Sequence, residues 1–117
     1  MFRALFINSE NDQPRISELS EDVLRPDGVL VKVEYSTLNY KDCLAILHGK
    51  PIIRKYPMVT GIDFSGTVLN DPSSGFKEGS EVLMTGFGMG EKFWGGHSEL
   101  ASVDTSFLLN IPSGFTM

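Results

Sequence analysis

The 117-residue chain has room for one hydrophobic core but not two, and its 41% apolar and 21% charged residues are those of an ordinary globular domain. A formal net charge of −5 argues against a general nucleic-acid or anionic-membrane surface, since both need clustered Lys and Arg. The single cysteine, Cys43, excludes an internal disulfide framework and a Cys-rich zinc module.

Twelve glycines and six prolines, with few windows of good helix formers, point to a mostly β chain. The N-terminal MFRALFINSE has too short an apolar run for a signal peptide, and no segment approaches ~20 apolar residues, so the cytoplasm is the expected compartment. Arg3 to Asn8 reads as a strand buried on both faces, with Ala4 and Phe6 on one and Leu5 and Ile7 on the other. A polar turn then leads to a return strand, Arg15 to Leu19. Ser20 to Leu24 suits one helical turn, ended by Pro26. Pro26-Asp27-Gly28 is a turn that launches the clearest strand, Val29 to Thr37, with Val29, Val31, Val33 and Tyr35 on its apolar face.

Between residues 38 and 48 the period becomes helical, with Leu38, Leu44, Ile46 and Leu47 on one side and Asn39-Tyr40-Lys41-Asp42 at the start. An Asn or Asp at a helix entry most often caps free amides, so a cap and an active site are both open here. Gly49 and Pro51 end the helix. Ile62 to Leu69 reads as a buried strand, and its Gly66 marks a bulge or the close approach of another backbone. Ser80 to Thr85 follows as a strand. The segment Gly86 to Gly96 holds five of the twelve glycines around Phe87, Phe93 and Trp94. Its G-x-G-x-G lacks the glycine that completes G-x-G-x-x-G, and no βαβ pattern follows, so it is not a dinucleotide fingerprint. A barrel rim or cleft wall is expected instead. Weak alternation over His97 to Asp104 and a short strand, Phe107 to Ile111, close a partly open β-barrel with one or two short helices.

His48, His97 and Cys43 have no ligand spacing, no G-x-S-x-G elbow is present, and Asp42 with Asp63 is the one carboxylate pair worth weighing. Both histidines read as surface or rim residues. Lys50, Arg54 and Lys55 form the one basic cluster, either a solvated loop or a local phosphate contact.

Taken together, Leu38-Asn39-Tyr40-Lys41-Asp42, Pro57-Met58-Val59, Gly61-Ile62-Asp63-Phe64-Ser65-Gly66-Thr67-Val68, Thr85-Gly86-Phe87-Gly88-Met89-Gly90-Glu91 and Trp94-Gly95-Gly96 resemble the medium-chain dehydrogenase/reductase superfamily. They run collinearly over nearly the whole chain. The nearest branch is that of the zinc-independent acrylyl-coenzyme A reductases, also called quinone oxidoreductases. The resemblance implies a GroES-like catalytic domain over residues 1–117, followed in relatives by a Rossmann domain for NADPH that this chain lacks. Zinc-using relatives have Cys at the place of Asn39 and Gly-His-Glu at that of Gly61-Ile62-Asp63, so the resemblance implies no catalytic metal. The sequence departs from the family at Gly79-Ser80, Phe87 and Lys92-Phe93, the last three in the cleft loop.

The implied chemistry is hydride addition from NADPH to an activated C=C bond of acrylyl-CoA, a similar enoyl thioester or a quinone. By the same resemblance Tyr40, Asn39 and Asp42 are the catalytic residues, with Tyr40, Asn39 and Lys41 meeting the cofactor and Arg54 and Trp94 the substrate. Tyr40 is the donor to the carbonyl oxygen, Asn39 both donates and accepts, and Asp42 orients them. A small-molecule substrate is expected, with no nucleic acid and no membrane, and a homodimer for the longer family form. Without the second domain the chain is expected to have little or no activity. The alternative is a binding or assembly module that uses the same barrel without chemistry.

Overall fold

The computed structural model describes residues 1–117. Two open antiparallel sheets meet at a corner. The smaller has the order β2-β1-β4, built from β1 (Phe2–Ile7), β2 (Arg15–Leu19) and β4 (Met58–Val59). The larger has the order β7-β3-β5-β6-β8, from β3 (Val29–Tyr35), β5 (Asp63–Asn70), β6 (Glu81–Thr85), β7 (Leu100–Val103) and β8 (Leu109–Asn110). A bridge between Ala4 and Ser98 joins β1 to the segment entering β7. The barrel stays partly open, as the sequence predicts.

The single α-helix, α1 (Tyr40–His48), and 3₁₀ turns at Glu21–Val23 and Thr105–Phe107 complete the elements. The second of these occupies the start of the expected final strand, because the Asp104 side chain accepts from the Ser106 amide and turns the backbone there. β1 carries apolar side chains on both faces because each face meets its own cluster, Phe2 and Ala4 with Val59 and Ile7 with Ala45, Ile53 and Met58.

The main core lies inside the larger sheet, where Val29, Val31, Val68, Val82, Met84 and Met89 are buried. Each such side chain contributes about 1.5–3 kcal/mol by leaving water. The apolar face of β3 does not run its predicted length. The pairing of β3 with β5 shifts register between Val33 and Tyr35, and Tyr35 is left 62% exposed. A bulge there redirects the side chain that strict alternation sends inward. Opposite it, Gly66 pairs with Val33, and a Cβ on Gly66 would collide with the carbonyl oxygen of Lys32. That is the close backbone approach expected of a glycine inside a strand.

Candidate active site

Asn39 is the residue before α1, with extended backbone (φ −98°, ψ 164°), and its carbonyl accepts the first helical bond from Cys43 at 3.0 Å. Asp42 reaches back to accept the Asn39 amide N–H at 2.9 Å, one half of a capping box. Capping accounts for the backbone of Asn39 but not for its side chain. Nδ2 of Asn39 lies 2.8 Å from Thr37 Oγ1, 3.3 Å from Asp42 Oδ2 and 3.2 Å from Asp63 Oδ2. One amide nitrogen thus stands between two carboxylates.

Asp63 opens β5, and Thr37 donates to it twice: its amide to Oδ1 at 3.2 Å, and its hydroxyl within 2.8 Å of both carboxylate oxygens. Asp42 is 1% exposed, a burial a carboxylate tolerates only when donors reach it. Asn39 supplies them. The end of β3, the start of α1 and the start of β5 are therefore tied together by side chains.

His97 extends this network, which the sequence reading did not foresee. Its Nε2 is 2.9 Å from the Thr37 carbonyl oxygen and its Nδ1 is 2.7 Å from the hydroxyl of Thr60, which is fully buried. A carbonyl can only accept, so Nε2 carries the proton, and in the neutral ring Nδ1 accepts from Thr60. His97 is not the free surface or rim residue that its isolation in sequence suggests. The available signal was Gly95-Gly96 immediately before it, since paired small residues allow one backbone to lie on another.

That is what the glycine run does. Amides of Gly95, Gly96 and His97 donate to the carbonyls of Val59, Gly61 and Thr60 at 2.8, 3.1 and 2.9 Å. A Cβ on Gly95 would meet the Gly61 carbonyl oxygen, and Gly61 itself has φ +105°, where a side chain is strained. The segment is packed against the strand entry at residues 59–63. Gly90, Gly95 and Gly96 serve that contact.

The other expected site residues are placed differently. Tyr40, in the first turn of α1, is 79% exposed, and its phenol makes no hydrogen bond within the chain. Lys41 pairs with the Glu91 carboxylate at 3.0 Å, and the exposed Arg54 donates its amide to the Glu91 carbonyl at 2.9 Å. Trp94 donates its indole N–H to the Pro57 carbonyl at 2.8 Å and lines a cavity that contains none of Thr37, Asn39, Tyr40, Asp42 or Asp63. The carboxylates whose pKa is displaced also lie outside the network. A side-chain hydrogen bond from Arg3 holds Glu99 below its ordinary range, and one from Arg25 does the same for Asp27.

The family model for the alcohol dehydrogenase GroES-like domain matches residues 25–113, a span that contains the whole network. The chain belongs to that family. This GroES-like chain is 43% identical over 118 residues to the acrylyl-CoA reductase AcuI of Ruegeria pomeroyi, covering 97% of itself and 36% of the relative. Among solved structures, Bacillus subtilis yhfP with NAD bound superposes with a TM-score of 0.92 at 40% identity, over 98% of this chain and 36% of that one. The yhdH oxidoreductase of Salmonella enterica in complex with NADP gives a TM-score of 0.86 at 43% identity, over 97% and 36%. The GroES-like chain thus spans 36% of the length of these relatives. The medium-chain dehydrogenase/reductase resemblance is upheld, and the fold is that of the family.

Proposed function

We propose that this chain is the catalytic-domain portion of an NADPH-dependent reductase that adds hydride to an activated C=C bond, of acrylyl-CoA or a similar enoyl thioester or of a quinone, without zinc. The observation that carries the reading is the Asn39 side chain held between Asp42 and Asp63 beside the exposed phenol of Tyr40. The donor set supports a metal-free site. A neutral amide at Asn39 and an alkyl group at Ile62 stand where zinc-using relatives have ligands, and neither supplies a thiolate or imidazole. Gly90, Gly95 and Gly96 are engaged against residues 59–63, so in this reading the chain meets the nicotinamide end of the dinucleotide and a second domain holds its phosphates.

When bound, a dihydronicotinamide would supply hydride to the β-carbon of the alkene, and the resulting enolate would take its α-carbon proton from solvent. Negative charge then collects on the carbonyl oxygen, which needs a hydrogen-bond donor placed in advance. Tyr40 has a hydroxyl with no partner in the chain, and a phenol O–H can donate. Asn39 has both amide protons engaged by Thr37, Asp42 and Asp63, so its part is to fix the loop that presents Tyr40. Asp42 holds Asn39 through backbone and side chain. Lys41, its ammonium paired with Glu91, is assigned to the cofactor, and Arg54, with an unpaired guanidinium, to a coenzyme A phosphate. Trp94 lines a separate cavity and takes no part in this reading.

The test joins this chain to the remaining part of the Ruegeria relative and measures NADPH oxidation with acrylyl-CoA, beside the 117-residue chain alone. The chimera is expected to turn over and the chain alone is not. Tyr40→Phe in the chimera is expected to lower kcat by about 10²-fold, the contribution of one hydrogen-bond donor placed at the developing oxyanion. Turnover by the isolated chain overturns the requirement for a second domain. A folded, NADPH-binding chimera whose turnover is indifferent to Tyr40→Phe overturns the assignment of Tyr40.

A further inference from the structure

The cavity lined by Trp94 lies between the 3₁₀ turn at Glu21–Val23, the glycine segment and the β7 end, and measures about 330 Å³. That is within the size range of small-molecule sites, roughly 300–1,000 Å³. Its walls are Val23, Leu24, Met89, Phe93, Trp94 and Phe107. They are held from behind. The indole is tied to the Pro57 carbonyl and stands edge-on to Phe6 at 5.7 Å, Phe93 stands edge-on to Phe107 at 5.5 Å, and Met89 is 1% exposed.

The polar groups around the cavity divide into two sets. The Ser102 hydroxyl donates to the Arg25 carbonyl at 2.6 Å, the Arg25 guanidinium pairs with Asp27, and the Asp104 carboxylate accepts from the amide and hydroxyl of Ser106. All of these are engaged elsewhere. Lys55 and Lys92 also line the cavity, and their ammonium groups have no ion-pair partner in the chain. An apolar, aromatic chamber edged by two uncommitted cations, on a chain of net charge −5, is complementary to one kind of molecule. Its body is apolar and its head anionic.

We infer that this cavity is a second binding site, for a small organic anion with an apolar body, with Trp94 and Phe93 against the body and Lys55 and Lys92 at the head. It shares no residue with the Thr37–Asn39–Asp63 network and does not rest on the reductase reading. Burial of the apolar body supplies the affinity, while the lysines select the sign of the charge.

Titration of the ¹⁵N-labelled chain with sodium octanoate, octylammonium chloride and octanol, followed by NMR, tests this. Octanoate is expected to move the Trp94 indole N–H and the amides of Lys55, Lys92 and Phe93 while leaving the Asn39 side-chain amide in place. The double variant Lys55→Ala/Lys92→Ala, altered only at exposed positions, is expected to keep its fold and bind octanoate about tenfold more weakly, a change of about 1.4 kcal/mol. Equal binding of octylammonium and octanoate overturns the anion assignment. Perturbation centred on Asn39, or none at millimolar octanoate, overturns the site.

Discussion

The imidazole of His97 donates from Nε2 to the backbone carbonyl of Thr37, a residue 60 positions earlier, at 2.9 Å. Thr37 in turn grips Asp63, so the histidine positions the loop that carries Asn39 and Tyr40. Two consequences can be measured. The neutral ring is expected to be the Nε2–H tautomer, read from its two ¹⁵N chemical shifts. Thr60→Val keeps the shape of a fully buried side chain but removes the donor to Nδ1, leaving that nitrogen unsatisfied. The expected loss is about 1–3 kcal/mol in denaturant unfolding. An unchanged midpoint would show that the Thr60–His97 bond contributes nothing net.

Asn39 separates two carboxylates, and its variants should rank accordingly. Asn39→Ala removes the side-chain ties to Thr37, Asp42 and Asp63 at a helix entry, which costs about 1 kcal/mol. Asn39→Asp preserves size and remains a good capping residue, yet it sets a third negative charge beside Asp42 and Asp63. Close like charges repel strongly near a protein surface, so this variant is expected to be the less stable at pH 7. Urea unfolding of both variants at pH 7 checks the order. A more stable Asn39→Asp at pH 7 would contradict the bridging role.

What the sequence made legible here was mostly local. The return strand Arg15–Leu19, the apolar start of β3, the short helix and its stop at Gly49 follow from alternation, period and turn chemistry over a few residues. The cluster at Asn39 and Asp42 stood out for the same reason. The bulge at Tyr35 was hidden, because it depends on pairing with a strand some 30 residues away. His97 and Thr60 were hidden more deeply. Their only marked neighbours are glycines, and their meeting requires the glycine segment to lie on residues 59–63, a contact that periodicity does not register. The resemblance supplied the order of the motifs but no account of which donors were already engaged.

The glycine segment makes its own prediction. In Gly95→Ala the new methyl would fall on the Gly61 carbonyl oxygen and within 2.5 Å of the Thr60 carbonyl oxygen, both backbone atoms that cannot rotate away. The two segments must separate, and with them the hydrogen bonds from Gly95, Gly96 and His97 that join them. Overpacking alone typically costs about 1–3 kcal/mol. The further signature is faster hydrogen exchange at these three amides and loss of the His97–Thr60 bond, seen as a shift of the His97 ring nitrogens. A variant with parental exchange rates would show that the approach is looser than described.

Acid should weaken the fold through its turns. The Asp71 carboxylate accepts from the Ser73 hydroxyl and amide and from the Phe76 amide, at 2.7, 2.9 and 2.8 Å. The Ser73 hydroxyl first, then the amides, hold its pKa below the ordinary 3.8. Ser106 acts in the same way on Asp104, and Ser73 Oγ meets Thr105 Oγ1 at 3.2 Å, so the two turns support each other. A carboxylate depressed in the folded state binds its proton more readily when unfolded. Its contribution is therefore complete above pH 3.8 and is lost as the pH falls through the lower folded value. Asp71→Asn is expected to be less stable than the parent at pH 7 and to approach it as the pH falls through the lowered folded value, where the parental carboxyl also becomes neutral. Thermal unfolding across that range measures the convergence. Parallel curves for variant and parent would mean that the Asp71 charge has no part in stabilising the turn.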